Sequence, residues 1–376
     1  MEGQAMEREA LNILERMADN FRRHGHDMGD AVSARSPDRY TDPARYAAEI
    51  ATVFREMPQF VCHVSQLRAP GSFVTATIAG TPIVVTRDDA GSLNAFVNAC
   101  VHRGAQVVRE PCGRRGDFLC PFHGWAYDLA GKLTHVTDRE SFAGATLDDA
   151  RMSPLPVIEK HGLVFVRLTP GPIDIDLGTM GEQLDSFGLA DHEFFCDGAV
   201  VNDYNWKLAI DGSLETYHLN YLHPAAARTF TGNASLFDFY GDHTRFITAR
   251  RSLAKLEPVD PALLRREVMI TFAIFPTTFV TTPHDHVLIQ TIRPLSVGRS
   301  EMVMSLLKPP GAGPETDDHW RKSWEMNQLV QIDDFAIWES IQRAYAGGFD
   351  QPALFGRYEH AIARYHDRLD AMLERR

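Results

Sequence analysis

Two short stretches of this sequence each offer one thiol and one imidazole that could bind an inorganic centre. The first reads C-V-H-R-G and supplies Cys100 and His102, and the second reads C-P-F-H-G-W and supplies Cys120 and His123. A Cys and a His two or three residues apart can reach one centre from a single loop. Two sulfur and two nitrogen ligands suit either a zinc ion or a [2Fe–2S] cluster with histidine on one iron.

The residues beside these ligands favour the cluster. Gly104 and Gly124 let the backbone pass close to a cluster and point amide hydrogens at its sulfides. Pro121 stiffens the second loop. A structural zinc site, for which the same four ligands would serve, is the plainer alternative.

With these flanks, C-x-H-R-G followed by C-P-x-H-G-W closely resembles the Rieske iron–sulfur domain of the ring-hydroxylating oxygenases. The resemblance implies that Cys100 and Cys120 bind one iron of a [2Fe–2S] Rieske cluster, while His102 and His123 bind the other. Neutral imidazole ligands leave the cluster less negative than four thiolates would, which raises its reduction potential.

A second group of candidate ligands lies about 90 residues further along the chain. Asp211, Glu215 and His218 are spaced i, i+4, i+7, so a continuous α-helix would place them on one face. His223 lies roughly 140° around such a helix from His218, so both imidazoles reach one metal only if the helix bends or ends between them. Pro224 fits such an ending. Taken alone, the spacing is better explained by two unrelated histidines.

The longer pattern N-W-K-x-x-x-(D/N)-x-x-x-(D/E)-x-x-H-x-x-x-x-H resembles the mononuclear iron segment of the same oxygenase family. By this resemblance His218 and His223 are two ligands of a 2-His-1-carboxylate site, which holds Fe(II) and leaves positions open for O2. The family takes its carboxylate from a distant C-terminal helix, which residues 331–343 resemble. Asp334 matches the ligand position there, and Asp333 is the second choice.

Glu215 matches the acid that, in this family, links a Rieske histidine of one subunit to an iron histidine of its neighbour. The implied electron path runs through His123, Glu215 and His218 across the interface of a homotrimer. Many relatives have Asp at this position, whereas Glu occurs in the branch resembling carnitine and choline monooxygenases; an acid of either length can orient a ligand imidazole. Asp211 is a further candidate for this orienting role. A surface acid without a role is the alternative interpretation of Glu215.

These ligands need elements that hold them in place. Short strand-like segments bounded by Gly and Asp turns run over Gln59–Leu168, which predicts a small antiparallel β-domain that presents both loops. Pro170-Gly171-Pro172 is the best domain boundary. Beyond it the pattern mixes strands and helices, with a helix near Tyr204–Tyr221, a strand over Val268–Val280 and a long helix over Trp320–Tyr345.

The predicted fold class is α+β. Amphipathic helices predicted near residues 6–22 and 42–56 belong to an N-terminal region, 1–58, that we expect to pack on the catalytic domain. Residues 59–169 are expected to form the Rieske antiparallel β-domain, and residues 170–376 the catalytic domain with mononuclear iron. For the catalytic domain the family resemblance implies a helix-grip (START/Bet v 1-like) architecture.

Composition limits the classes of function. The 376 residues are 44% hydrophobic and 23% charged, as in ordinary globular proteins, and the formal charge of −12 argues against a nucleic-acid surface. No apolar run reaches roughly 18 residues, and the start lacks the basic-then-apolar pattern of a signal peptide. Three of the five cysteines show no pairing pattern. We therefore expect no membrane span and a cytoplasmic protein.

The resemblance implies a terminal oxygenase component. Because no flavin or nicotinamide fingerprint is present, electrons must come from a separate NAD(P)H-dependent reductase, directly or through a ferredoxin. The expected reaction uses O2 to hydroxylate a small aromatic or apolar substrate, as in the catabolism of aromatic compounds. By the family resemblance, the chain is shorter than the large subunits that usually pair with a small β subunit, which favours a homotrimer and slightly favours monooxygenation, including oxidative N- or O-dealkylation.

Three other functions are compatible with the sequence. Two lie within the family: cis-dihydroxylation of an aromatic ring, and monooxygenation of a quaternary ammonium compound, which Glu215 weakly favours. The third, from another class, is a Rieske electron carrier fused to a lipid-binding module. That interpretation gives His218, His223 and Asp334 no role.

Overall fold

The computed structural model describes residues 2–23, 27–224, 230–256 and 260–374. The chain forms two compact units, one made of residues 50–176 and the other of residues 1–49 together with 177–376. Helices hold 36% of the residues and strands 31%, so the predicted α+β class is confirmed. In the part of the chain so described, no helix combines the length and the apolar character needed to cross a membrane.

The elements are numbered in chain order. The helices are α1 (Glu2–Arg22), α2 (Asp38–Thr41), α3 (Pro43–Glu49), α4 (Thr179–Ser186), α5 (Trp206–Ser213), α6 (Leu219–Leu222), α7 (Leu264–Glu267), α8 (Asp317–Ala346) and α9 (His360–Leu373). The strands are β1 (Ser33–Arg35), β2 (Gln59–His63), β3 (Ser72–Ile78), β4 (Thr81–Arg87), β5 (Leu93–Val97), β6 (Cys112–Arg114), β7 (Phe118–Leu119), β8 (Ala126–Tyr127), β9 (Leu133–His135), β10 (Pro154–Leu155), β11 (Val157–Lys160), β12 (Leu163–Val166), β13 (Glu193–Asn202), β14 (Phe230–Tyr240), β15 (His243–Arg250), β16 (Val268–Ile274), β17 (Thr278–Thr282), β18 (Val287–Ser296), β19 (Arg299–Lys308) and β20 (Ala353–Phe355).

The unit of residues 50–176 consists of short antiparallel strands in three sheets, ordered β10-β5-β4-β3-β6, β11-β12-β2 and β7-β8-β9. Its turns form where the sequence places Asp and Gly: the carbonyls of Asp88 and Asp128 accept the N–H groups of Gly91 and Gly131, each at 3.0 Å. The first ligand loop follows β5, and the second lies between β7 and β8. The hairpins therefore hold both loops, as the sequence predicts.

The other unit is built on a seven-stranded antiparallel sheet in the order β13-β19-β18-β17-β16-β15-β14. Helix α5 packs on β18 and β19, and α8 packs on α5, β13 and β19. The N-terminal helices belong to this unit. A buried ion pair joins α3 to α5, with Lys207 Nζ 2.6 Å from Glu49 Oε2.

The N-terminal helices match their predictions. Helix α1 covers the predicted residues 6–22, and α3 begins at Pro43 with the N–H of Ala44 bonded to Asp42 Oδ1 at 2.8 Å. The chain stays helical through a π-helix at Ile50–Phe54 and on to residue 56. Asp42 acts here as the capping residue that the sequence indicates.

Two predictions about the unit that contains the seven-stranded sheet are wrong. The helix near Tyr204–Tyr221 is instead two helices, because Gly212 and Ser213 are poor helix formers and a turn follows them. The strand over Val268–Val280 is a hairpin of β16 and β17, since Pro276 at the bend has no N–H for the sheet. Sequence patterns also missed strand β14.

Candidate metal centres

Both cysteine–histidine loops have the same backbone design. The Cys N–H donates to the carbonyl five residues later, at 2.8 Å for Cys100 and 2.7 Å for Cys120. Gly104 and Gly124 donate back to the carbonyls of the same cysteines, at 2.8 and 3.0 Å. Both glycines have a φ of +73°, which strains any residue with a Cβ. Glycine therefore closes each loop.

The four predicted cluster ligands lie together at the ends of these loops. The rings of His102 and His123 are 4.8 Å apart, and the Cys100 and Cys120 thiols are in hydrogen-bond contact. The indole of Trp125 stacks on His102, with 4.7 Å between ring centres. In the described part of the chain, the buried Nδ1 of His123 has no hydrogen-bond partner. Two thiols beside an unpartnered imidazole nitrogen fit the donor set of a Rieske cluster.

Tyr127 contacts this site and was missed by the sequence analysis. Its hydroxyl oxygen accepts the N–H of Val101 at 3.0 Å and lies 3.0 Å from Cys100 Sγ. Because the oxygen accepts from the amide, its own hydrogen can point to the sulfur. Burial raises the pKa of Tyr127 well above the ordinary range, so the hydroxyl keeps its proton. The only sequence signal was a tyrosine two residues after Trp125.

Arg103 is in hydrogen-bond contact with His123, one of the four predicted cluster ligands. Its guanidinium is 2.8 Å from Nε2 of His123 and lies over the ring of Phe122, 4.4 Å from the ring centre. Partial burial and the charge of Arg103 lower the pKa of His123. Both influences favour the neutral imidazole that a metal ligand requires.

His218, His223 and Asp334 form the second predicted site, with ligand atoms that all lie within 4.8 Å of one another. Asp334 Oδ1 is 3.0 Å from Nε2 of His223 and 3.7 Å from Nε2 of His218. Burial raises the pKa of Asp334. Asp333, the second choice, has a side chain that is 61% exposed and lies 4.0 Å from the other nitrogen of His223. This donor set suits iron with open coordination positions.

A short helix sets the positions of the two histidines, and it ends between them, as the sequence predicts: α6 stops directly before His223, whose backbone is not helical. His218 and His223 flank α6 as its N-terminal and C-terminal caps, and their rings lie edge to face, 5.4 Å apart. A further break, which the sequence did not predict, comes before His218, because the Glu215 carboxylate accepts the backbone N–H groups of Tyr217 and His218 and starts a new turn. Glu215 is thus not on one helical face with Asp211, contrary to the sequence prediction.

Helices α5 and α8 approach closely to bring Asp334 to the two histidines. A Cβ on Gly212 would lie 2.4 Å from Nε1 of Trp338, so only glycine permits this contact. Asp334 and Trp338 are buried on the same face of α8. The packing of these helices therefore fixes a ligand that is 111 residues away from His223 in the sequence.

Glu215 also binds the imidazole of His218 through Nδ1, which leaves Nε2 facing Asp334. Burial lowers the pKa of His218, but the hydrogen bond and charge of Glu215, with the charge of Asp334, outweigh it and raise the pKa overall. A carboxylate on the far nitrogen of a ligand histidine fixes its orientation.

Asp211 is not at the triad. Its carboxylate accepts the hydroxyl of Tyr40 at 2.6 Å and is 2.9 Å from Nε2 of His366. These contacts join α5 to α2 and α9, so the position of Asp211 suits the support of a helix. In the described part of the chain, the Asp211 carboxylate makes no hydrogen bond to Glu215 or to a member of the triad.

A cavity of about 220 Å³ opens onto the triad. One wall is formed by α5, α6 and α8, and the opposite wall by alternate residues of β15 to β19. Its sheet residues are Phe246, Thr248, Met269, Thr271, Phe279, Thr281, Leu288, Gln290 and Met304. A small organic molecule in this space would lie against the metal ligands.

Two protein families match this chain. The family described as Rieske [2Fe-2S] domain matches residues 57–150, and the family described as ring hydroxylating alpha subunit (catalytic domain) matches residues 189–375. These domains imply a [2Fe–2S] cluster and mononuclear iron, respectively.

Individual proteins resemble the chain in part of its length. It is 32% identical over 193 residues to the glycine betaine monooxygenase oxygenase subunit of Chromohalobacter salexigens, covering 49% of this chain and 42% of that protein. It is 30% identical over 197 residues to the 2-halobenzoate 1,2-dioxygenase large subunit of Burkholderia cepacia, covering 50% and 42%. The aligned region thus spans less than half of either relative.

Solved structures share the fold. A quaternary ammonium Rieske monooxygenase aligns with a TM-score of 0.81 over 91% of this chain and 96% of that one, at 21% identity. An identity this low shows the fold alone. The two matching families, the shared fold and the two ligand sets lead to one conclusion: the chain belongs to the family of the Rieske non-haem iron, ring-hydroxylating oxygenases.

Proposed function

We propose that this protein is the terminal oxygenase component of a Rieske system and hydroxylates a small organic substrate with O2. The observation that carries the proposal is the group His218, His223 and Asp334, whose ligand atoms lie within 4.8 Å of one another beside a cavity. Bound there, iron supplies O2 activation, and a [2Fe–2S] cluster on the two loops supplies single electrons. The protein residues bind, orient and shield these reactants.

Three side chains hold the iron, and Glu215 keeps one of them in place. His218 and His223 present Nε2 atoms to the site, and Asp334 contributes Oδ1 from α8. Iron held by these three side chains would keep coordination positions open for O2, and the cavity lies beside the same residues. Glu215 on Nδ1 of His218 selects the tautomer whose Nε2 can bind metal.

The electron path crosses between subunits of a homotrimer in this proposal. Cys100, Cys120, His102 and His123 hold the cluster, and His123 of one subunit reaches Glu215 of its neighbour. In the single chain Arg103 donates to Nε2 of His123, so assembly must replace that contact with the carboxylate.

Exposed apolar side chains support the trimer. Beside the cluster loops, Leu119 and Phe122 are each 56% exposed. In the unit of residues 1–49 and 177–376, Tyr221 is 84% exposed, and Met326 and Leu329 on α8 are about 60% exposed. Burial of these side chains between subunits would remove them from water, which is how interfaces use large apolar groups.

Monooxygenation, including oxidative N- or O-dealkylation, is the reaction we favour, with electrons from an NAD(P)H-dependent reductase, directly or through a ferredoxin. Relatives include a monooxygenase and a dioxygenase by name, so cis-dihydroxylation is the second candidate. We place the protein in the cytoplasm, which agrees with five cysteines that form no disulfide.

Replacement of His218 by Ala tests the proposal against an electron carrier that lacks a second metal. We expect the variant to keep the visible spectrum of the Rieske cluster but to lose mononuclear iron and substrate-dependent O2 uptake with a surrogate reductase. An electron carrier predicts that reduction and reoxidation of the cluster are unchanged and that the wild type binds no third iron. That result would exclude the oxygenase function.

A further inference from the structure

The sheet wall of the cavity carries four hydrogen-bonding side chains among apolar ones. Thr248 lies on β15, Thr271 on β16, Thr281 on β17 and Gln290 on β18. In an antiparallel sheet, residues at alternate positions point to one face, so these groups share the face that the cavity occupies. They differ in whether the protein already uses their hydrogen-bonding capacity.

Two of these groups are already paired with each other. The hydroxyls of Thr271 and Thr281 are 3.0 Å apart. By contrast, the Thr248 hydroxyl is buried and has no hydrogen-bond partner among the residues that the structure describes. A buried polar atom without a partner is uncommon in folded proteins, and a bound ligand is one way to satisfy it.

The side-chain amide of Gln290 also has hydrogen-bonding capacity that the protein uses only weakly. Its amide nitrogen contacts the sulfur atoms of Met304 at 3.6 Å and Met302 at 3.8 Å. A thioether is a weak acceptor, so a ligand oxygen or nitrogen would replace it with little loss. Thr248 and Gln290 therefore offer polar contacts on a wall that is otherwise lined by groups such as Phe246 and Phe279.

The charges around the cavity favour an uncharged ligand. Of the lining residues that the structure describes, the ionisable ones are Glu215, His218, His223 and Asp334, and none is Lys or Arg. With Fe(II) bound, its two positive charges balance the carboxylates of Glu215 and Asp334. The rest of the described lining offers no charged side chain, so an anionic or a cationic ligand group would enter the site without an opposite charge to pair with, which is unfavourable. The volume of about 220 Å³ also lies below the roughly 300–1,000 Å³ of sites for drug-sized ligands.

We propose that the substrate is a small, uncharged, mostly apolar molecule with one hydrogen-bonding group, and that the Thr248 hydroxyl binds this group. Gln290 is the second contact. The hydrogen bond fixes the rotation of the molecule in the cavity and so determines which of its carbons faces the iron ligands. Thr248 is therefore a specificity-determining residue. The inference rests on the proposed function in taking this cavity as the substrate site.

Three probes that share one ring test the inference: toluene, phenol and benzoate, whose methyl, hydroxyl and carboxylate groups differ in polarity and charge. Their dissociation constants are measured by calorimetry on the full-length, metal-loaded protein without O2. We expect phenol to bind about tenfold more tightly than toluene, the worth of one ordinary hydrogen bond. Benzoate should bind more weakly than phenol.

Variants test whether the Thr248 hydroxyl causes the preference for phenol over toluene. In Thr248→Val we expect most of the preference for phenol to be lost, leaving only the contribution of Gln290, whereas Thr248→Ser, which keeps the hydroxyl, should retain the preference. Thr291→Val is the matched control, because its hydroxyl pairs with Thr278 at 3.1 Å outside the cavity lining, and it should also retain the preference. Melting temperatures establish that each variant is folded.

Three results would overturn the inference: a preference for phenol that is undiminished in Thr248→Val, benzoate as the tightest ligand, or no binding of any probe. Metal and sulfide analysis separates the two proposals. If the metals are present and the probe results fail, this inference about the substrate is wrong and the oxygenase function stands; if the metals are missing, the oxygenase function fails whatever binds.

Discussion

At the scale of single residues, the hydroxyl of Tyr127 adds a contact that the ligand motif does not contain. It lies 3.0 Å from Cys100 Sγ, with its oxygen already accepting from Val101. Hydrogen bonds to ligand sulfurs stabilise the more negative, reduced form of an iron–sulfur cluster and raise its potential. Tyr127 should therefore contribute to the driving force for electron uptake.

We predict that Tyr127→Phe lowers the reduction potential of the Rieske cluster by roughly 20–60 mV, the equivalent of one hydrogen bond in a one-electron couple. Protein-film voltammetry measures the shift, and an unchanged absorption spectrum shows that the cluster is intact. An unchanged potential in a loaded variant would mean that the hydroxyl does not donate to the sulfur.

Adjacent acids on α8 allow a matched test of the proposed iron ligands. Asp334 is buried against both histidines, whereas the side chain of Asp333 is 61% exposed. We predict that Asp334→Asn weakens Fe(II) binding by at least roughly tenfold and that Asp333→Asn has little effect. Fe(II) titration of the metal-depleted variants measures both, and the opposite order would make Asp333 the ligand.

At the scale of elements, a buried ion pair joins α3 to α5, the helix that precedes the iron histidines. The side chains of Lys207 and Glu49 are both fully buried, and Trp206 Nε1 also donates to Glu49 at 3.2 Å. Removing one member would leave an uncompensated charge in the interior, which costs more than the pair itself contributes.

We predict that Glu49→Gln lowers the free energy of unfolding by about 3–5 kcal/mol, whereas the double variant Glu49→Leu/Lys207→Met loses much less. Asp19→Asn is the control, because it breaks an exposed pair with Arg23 and should cost less than about 1 kcal/mol. Urea denaturation measures all three. Equal losses for the two buried variants would contradict the account.

The pair of Lys207 and Glu49 also makes the free energy of unfolding depend on pH, in a direction that can be stated. Burial lowers the pKa of Lys207 to about 8 from 10.5, so the unfolded chain holds this proton more tightly than the folded protein. The cost of the buried charge is fully present below pH 8 and is relieved as the pH rises towards 10.5. Relative to Lys207→Met, the wild type should gain stability across this window, by at most roughly 1.4 kcal/mol per pH unit. A constant or falling difference in urea denaturation would contradict this.

Elements also show where sequence reasoning succeeds. The two cluster loops could be predicted because Cys, His and Gly lie within five residues of each other and fold locally. Tyr127 could not, because its contact depends on a strand that returns to a loop 27 residues earlier. The helix predicted through Glu215 failed for a related reason: this carboxylate binds backbone N–H groups and ends the helical path, which periodicity does not register.

At the scale of the whole molecule, each compact unit carries one of the two candidate centres. Residues 50–176 hold the four cluster candidates, and the unit of residues 1–49 and 177–376 holds the triad, the cavity and Glu215. The fold class followed from strand and helix patterns, but Asp334 was identified only through family resemblance. Its distance of 111 residues from His223 is bridged by helix packing that no local pattern encodes.

The most direct measurement of the central claim is the content of iron, zinc and acid-labile sulfide in protein purified without O2. One Rieske cluster and one mononuclear site predict about three irons and two sulfides per chain. About two irons, with no third restored by added Fe(II), would contradict the oxygenase function and favour an electron carrier. Zinc without sulfide would contradict both centres.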